Sequence, residues 1–108
     1  MEITVKWTAF SKKELHKIFD YYKVHVSLKT AKKIVEGITN DVKILTSHPE
    51  IGQVEELLKT YPENFRCLLS KRNYKIIYWI NTKNKTIEIV DVFDVRQNPI
   101  KMNRQFGN

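Results

Sequence analysis

The chain reads as a single α+β domain, residues 1–108, with an N-terminal strand, a two-helix hairpin and then a three-stranded antiparallel sheet. Three observations carry that reading. Ile3, Val5 and Trp7 alternate with Glu2, Thr4 and Lys6, the period of a half-buried strand. Apolar residues then recur at helical spacing as far as Leu45. From Arg66 onward, β-branched and aromatic blocks are separated by Ser70-Lys-Arg-Asn73 and Asn81-Thr-Lys-Asn-Lys85, which is turn material. A length of 108 residues limits the chain to one domain with a modest core.

Each element has its local reason. Ser11 stands three residues before Glu14, the spacing of a capping box, with Phe10 and Leu15 placed as a hydrophobic staple, so the first helix is expected to start at Lys12. Its buried stripe is Leu15, Ile18, Phe19 and Tyr22, which leaves Lys12, Lys13, Lys17 and Lys23 to water. Ser27 is the expected cap of a longer second helix with the stripe Ala31, Ile34, Val35, Ile38, Val42 and Leu45, ended by Pro49. The short link at 24–26 makes the pair an antiparallel hairpin. Gly37 weakens the second helix by up to about 1 kcal/mol relative to Ala and is expected to admit close helix contact. Residues 49–64 read as a surface loop with one short turn around Val54 to Leu58. Helices segregated to one face leave the other face of the sheet to be polar or covered by a partner.

The 19 Lys and Arg, against 12 acids, imply an anionic partner: nucleic acid, the ribosome or an acidic protein segment. Residues 66–108 hold nine of those cations against three acids, and residues 1–65 hold ten against nine, so the positive field is expected on the sheet side. Arg66, Lys71, Arg72, Lys75 and Arg96 come from different strands and turns that a meander brings together, and their donors suit phosphate or carboxylate. A solvated face with scattered cations is the alternative. Tyr74 and Tyr78 share one strand face, Lys75, Ile77 and Trp79 the other, and Asp94 is placed to pair with Arg96. The lone Cys67 reads as a buried thiol in a reducing compartment. His16, His25 and His48 fit no metal-ligand spacing and the three glycines form no phosphate loop, so no metal and no cofactor are expected. No apolar run approaches the roughly 20 residues of a bilayer span, and the chain opens on a strand rather than a signal peptide, so a cytoplasmic location without membrane contact is expected.

The pattern Arg66-x-Leu68, Asn73-Tyr-x-Ile-Ile-Tyr-x-Ile80 and Ile87-x-Ile-x-x-Val-Phe-Asp-x-Arg-Gln-Asn-Pro99 resembles the RelE/ParE superfamily of small bacterial toxins from type II toxin-antitoxin pairs. The Val5-x-Trp7 start and the Pro49-x-x-Gly52 loop extend the resemblance over nearly the whole chain. It implies silencing by a cognate antitoxin with an extended, partly helical tail, and contact with operator DNA only through that antitoxin. Candidate antitoxin contacts are Trp7, Phe19, Tyr22 and Trp79. Candidate target contacts are Arg66, Lys71, Arg72, Lys75, Arg96, Gln97 and Arg104.

The superfamily divides into poisons of DNA gyrase and ribosome-dependent mRNA endonucleases, and the endonuclease branch uses a basic cluster, commonly with a tyrosine near the C-terminus. Here Lys75 stands where that branch usually carries Arg, and no tyrosine follows Tyr78. The reading therefore leans toward a ParE-like gyrase inhibitor. A RelE-like endonuclease using Arg66, Lys75 and Arg96 is the alternative, and a non-toxic basic nucleic-acid-binding module is a third.

Overall fold

The structure, a computed structural model, describes residues 2–106. The chain runs β1 (Thr4–Trp7), α1 (Ala9–His25), α2 (Leu28–Val42), β2 (Gln53–Val54), β3 (Arg66–Ser70), β4 (Tyr74–Asn81) and β5 (Thr86–Asp94), with 3-10 turns at Lys43–Thr46, Glu56–Leu58 and Pro99–Phe106. The strands form one sheet in the order β1-β5-β4-β3-β2. It has five strands where an N-terminal strand and a three-stranded antiparallel sheet were expected. β1 joins by pairing parallel to β5, Val5 opposite Ile87, and β2 adds two residues against β3. The expected antiparallel meander is β3-β4-β5.

The first helix begins earlier than its capping-box spacing suggested. Thr8 is the cap, its hydroxyl accepting from the Ser11 N–H at 3.3 Å, while Ser11 lies buried in the first turn and donates to the Thr8 carbonyl. Glu14 is thereby free to face elsewhere. Ser27 caps α2 as expected, accepting from the Thr30 N–H at 3.0 Å. That helix ends at Val42, before Pro49, because the backbone tightens into the 3-10 turn that seats Leu45 in the core. The nearest neighbour of Gly37 is not another helix. The stem of Lys71, from the β3–β4 turn, crosses it where a Cβ would sit.

The helices cover one face of the sheet, where Ile38, Val42, Leu45, Tyr74, Ile76, Tyr78, Ile87, Ile89 and Val92 form the main core. The opposite face, expected to be polar or to await a partner, is covered by the chain itself. Leu58 and Phe65 from the loop before β3, and Met102 from the C-terminal turn, bury Ile77, Val90 and Phe93 in a second core. Both faces of β4 and β5 are thus apolar, as in a sheet covered on both sides. A bulge sits opposite Ile77 and Tyr78, where the register jumps from Asp91 to Ile89. The alternation on β5 slips there, and Asp91 is buried beside the slip.

A cleft of neutralised cations at the sheet end

The end of the sheet where β5 finishes is built from tight local turns. Lys71 and Arg72 close the β3–β4 hairpin with φ of 53° and 65°, and the Val95 N–H donates to the Asn73 carbonyl at 2.8 Å. These bonds fix the segment after β5 beside α1. Between them opens a cleft of about 710 Å³ lined by Lys17 and Tyr21 of α1, Tyr74 and Asp94 of the sheet, and Arg96, Gln97 and Lys101 beyond it. On its floor the Tyr74 hydroxyl donates to that of Tyr22 at 3.3 Å, and burial pushes the Tyr74 phenol far above its ordinary value.

Four of the predicted cations, Arg96, Arg104, Lys75 and Arg66, are held by the protein. Arg96 grips Asp94 with both arms of its fork, Nε to Oδ1 at 2.9 Å and a terminal nitrogen to Oδ2 at 2.8 Å, and that grip holds the Asp94 carboxyl below its usual range. Arg104 bridges three elements: it donates to both oxygens of Asp91 at 2.8 and 3.0 Å, to Glu14 at 2.8 Å and to the Lys101 carbonyl at 2.8 Å. Its guanidinium also lies 5.0 Å from the Phe10 ring and 5.5 Å from that of Phe93. Burial drives the Asp91 carboxyl up to about 6 against the pull of Arg104. Burial acts the same way on Glu14, but hydrogen bonds from Arg104 and Lys17 outweigh it and hold that carboxyl low.

Lys75 lies on the other sheet face, where its ammonium donates to the buried Glu55 at 2.9 Å. Arg66 bonds the carbonyls of Glu50 and Gly52 at 3.3 and 2.8 Å. Tyr78 completes that clamp, donating to the Pro49 carbonyl at 2.7 Å and accepting from the Gly52 N–H at 2.9 Å. A Cβ at Gly52 would fall 2.7 Å from the Cys67 carbonyl oxygen, so this position requires glycine.

The structure therefore gathers Arg96, Gln97 and Arg104 at the cleft, sends Arg66 and Lys75 elsewhere, and leaves Lys71 and Arg72 exposed at the hairpin turn. The four predicted antitoxin contacts also separate. Trp7 and Tyr22 pack against the main core and Trp79 against the second. Phe19 alone lines an open groove, of about 370 Å³, with Lys12, Leu15 and His16 of α1 and Val35 of α2. Glu55, Asp91 and Glu14 are the residues sequence reasoning missed; acids inside apolar stretches such as Val90-Asp91-Val92 were the available signal.

This helix hairpin laid on a meander is a fold of toxin-antitoxin complexes. The structure is similar to the chromosomal ParDE toxin-antitoxin system from P. aeruginosa, with a TM-score of 0.73 and 26% identity, covering 86% of this chain and 96% of that one. It shares its fold with the toxin-antitoxin complex RelBE2 from Mycobacterium tuberculosis at a TM-score of 0.53 and 20% identity, covering 87% of this chain and 99% of that one. No curated protein sequence matches the chain. The family model of the ParE toxin of the type II toxin-antitoxin system parDE matches residues 5–99, and the chain belongs to that family.

Proposed function

We propose that this protein is a growth-inhibiting toxin that acts by binding DNA gyrase, and that a cognate antitoxin neutralises it. The observation that carries the mechanism is the internal engagement of Arg66, Lys75 and Arg96. Cleavage of RNA through its 2′-hydroxyl needs preorganised positive charge aimed at the developing phosphorane. Here Lys75 faces buried Glu55, Arg96 is chelated by Asp94, and Arg66, at the end of β3 away from the hairpin turn, is bonded to carbonyls. Engaging phosphate with Lys75 or Arg96 would require breaking pairs already formed. Such a set supports a toxin that works by binding rather than by its own covalent chemistry.

The antitoxin reading is supported by the solved complexes that share this fold and by the groove between α1 and α2, whose apolar floor of Leu15, Phe19 and Val35 beside Lys12 suits an acidic amphipathic segment. Purified toxin is expected to block gyrase supercoiling or trap cleaved DNA and to leave ribosome-bound mRNA intact. Cleavage of ribosome-bound mRNA with gyrase unaffected would instead establish the endonuclease reading.

A further inference from the structure

The tip of the helix hairpin combines exposed apolar side chains with unpaired lysines. Tyr21, Val24, Val26 and Leu28 are 56%, 76%, 61% and 47% exposed there, a concentration of apolar surface on consecutive turns. Around them, residues 21–35 contain four lysines, Lys23, Lys29, Lys32 and Lys33, and no acid. All four are exposed, and none takes part in an ion pair among the described residues. The nearest acid before this stretch, Asp20, is 3.3 Å from His16. Tyr21 also forms one wall of the sheet-end cleft, so tip and cleft are continuous.

We propose that this tip, with Tyr21 and the adjoining cleft wall, is the surface through which the toxin engages its protein target, and that the target presents an acidic rim around an apolar notch. The proposal rests on the reading of the chain as a toxin directed at a protein. Unpaired lysines around an apolar centre have the layout of a protein interface, apolar within and charged at the rim. A partner reading phosphates would gain nothing from three exposed aliphatic side chains. A lipid surface is served by bulky Trp, Phe and Leu inserted together, and this patch holds two valines, one leucine and a tyrosine. The antitoxin groove at Leu15, Phe19 and Val35 lies along the body of the hairpin, which leaves the tip as a separate seat.

The test is the double variant Val24→Glu with Val26→Glu, compared with the parent chain and with Lys83→Glu in the β4–β5 turn as a control. Both valines are exposed, so the double variant is expected to melt near the parent and to copurify with coexpressed antitoxin. It is expected to lose growth inhibition, and to inhibit gyrase supercoiling at least about tenfold more weakly, as when a central interface contact is lost. Undiminished inhibition by the double variant overturns the proposal while leaving the toxin reading intact. Loss of antitoxin copurification together with inhibition makes the tip an antitoxin seat and overturns it too. So does flotation of the parent, but not the variant, with phosphatidylglycerol vesicles. A parent chain with no effect on growth removes the toxin reading itself, and this proposal with it.

Discussion

At the end of the sheet, Arg96 and Arg104 line a cleft with their donors committed to Asp94, Asp91 and Glu14; around the hairpin tip, Lys23, Lys29, Lys32 and Lys33 stand in water with no carboxylate among residues 21–35. In the sequence half that is richer in net charge, Arg66, Lys75, Arg96 and Arg104 are used to hold the fold. The half that is nearly neutral overall carries, in the same way as Lys71 and Arg72 of the other half, lysines that no carboxylate among the described residues engages. Net charge by segment therefore does not measure the charge available to a partner. What measures it is whether a carboxylate of the same chain reaches the cation first.

That contrast breaks most visibly at Arg104. Its removal leaves fully buried Asp91 unpaired and Glu14 with Lys17 alone, unties α1 from β5, and deletes the packing on Phe10 and Phe93. Arg104→Ala is expected to cost about 3 kcal/mol in urea unfolding, the scale of breaking a buried pair on one side. A cost typical of an exposed residue would make Arg104 available to a target after all.

Glu55→Ala comes next. It strips Lys75 of its partner and the Leu57 N–H of its acceptor, so a loss of about 2 kcal/mol is expected, less than for Arg104 because Lys75 keeps some contact with water. Restoring that stability by adding Lys75→Met would show that the pair, and not Glu55 alone, is what the fold needs.

Arg96→Ala sharpens the comparison from the other side. The Arg96 side chain is 56% exposed, so its pair with Asp94 is expected to contribute under about 1 kcal/mol to folding. Because its charge is already neutralised, growth inhibition by this variant is expected to stay close to that of the parent, as dose-dependent arrest from a titratable promoter would show.

The smallest effect is one of pH. Asp91 titrates at about 6 in the folded protein against an ordinary 3.8, so the folded state binds the extra proton between those values. Its contribution to stability is present below 3.8 and is lost as pH rises through about 6. Relative to Asp91→Asn, the parent is expected to melt higher near pH 4 than near pH 7, a difference read by thermal scans in parallel buffers.

Most of the architecture was legible from local signals: alternation at Ile3, Val5 and Trp7, the Ser27 cap, the helical stripes and the β3-β4-β5 meander. The pairing of Asp94 with Arg96 was legible too, being set by two positions of spacing. What sequence did not reveal depends on distant segments meeting. The parallel pairing of β1 with β5 joins residues about 80 apart, and the second core forms only when the C-terminal turn folds back over Val90 and Phe93. The capping box at Ser11 and Glu14 lost to Thr8, whose hydroxyl ties the helix start to the Ile89 carbonyl at 2.8 Å, a contact between chain ends. The pairings of Lys75 and Arg104 were hidden for the same reason. Glu55 and Lys75 are 20 residues apart, and Glu14 and Arg104 are 90 apart.

The most direct test of the central claim, that the free cations and apolar side chains of the tip act on the target while the paired cations of the sheet act on the fold, is a gyrase supercoiling titration run side by side with the parent, Arg96→Ala and the Val24→Glu, Val26→Glu double variant. The account predicts parent-like inhibition by Arg96→Ala and inhibition at least about tenfold weaker by the tip variant, a difference of about 1.4 kcal/mol or more in binding. The reverse order, with Arg96→Ala inactive and the tip variant unimpaired, would contradict it.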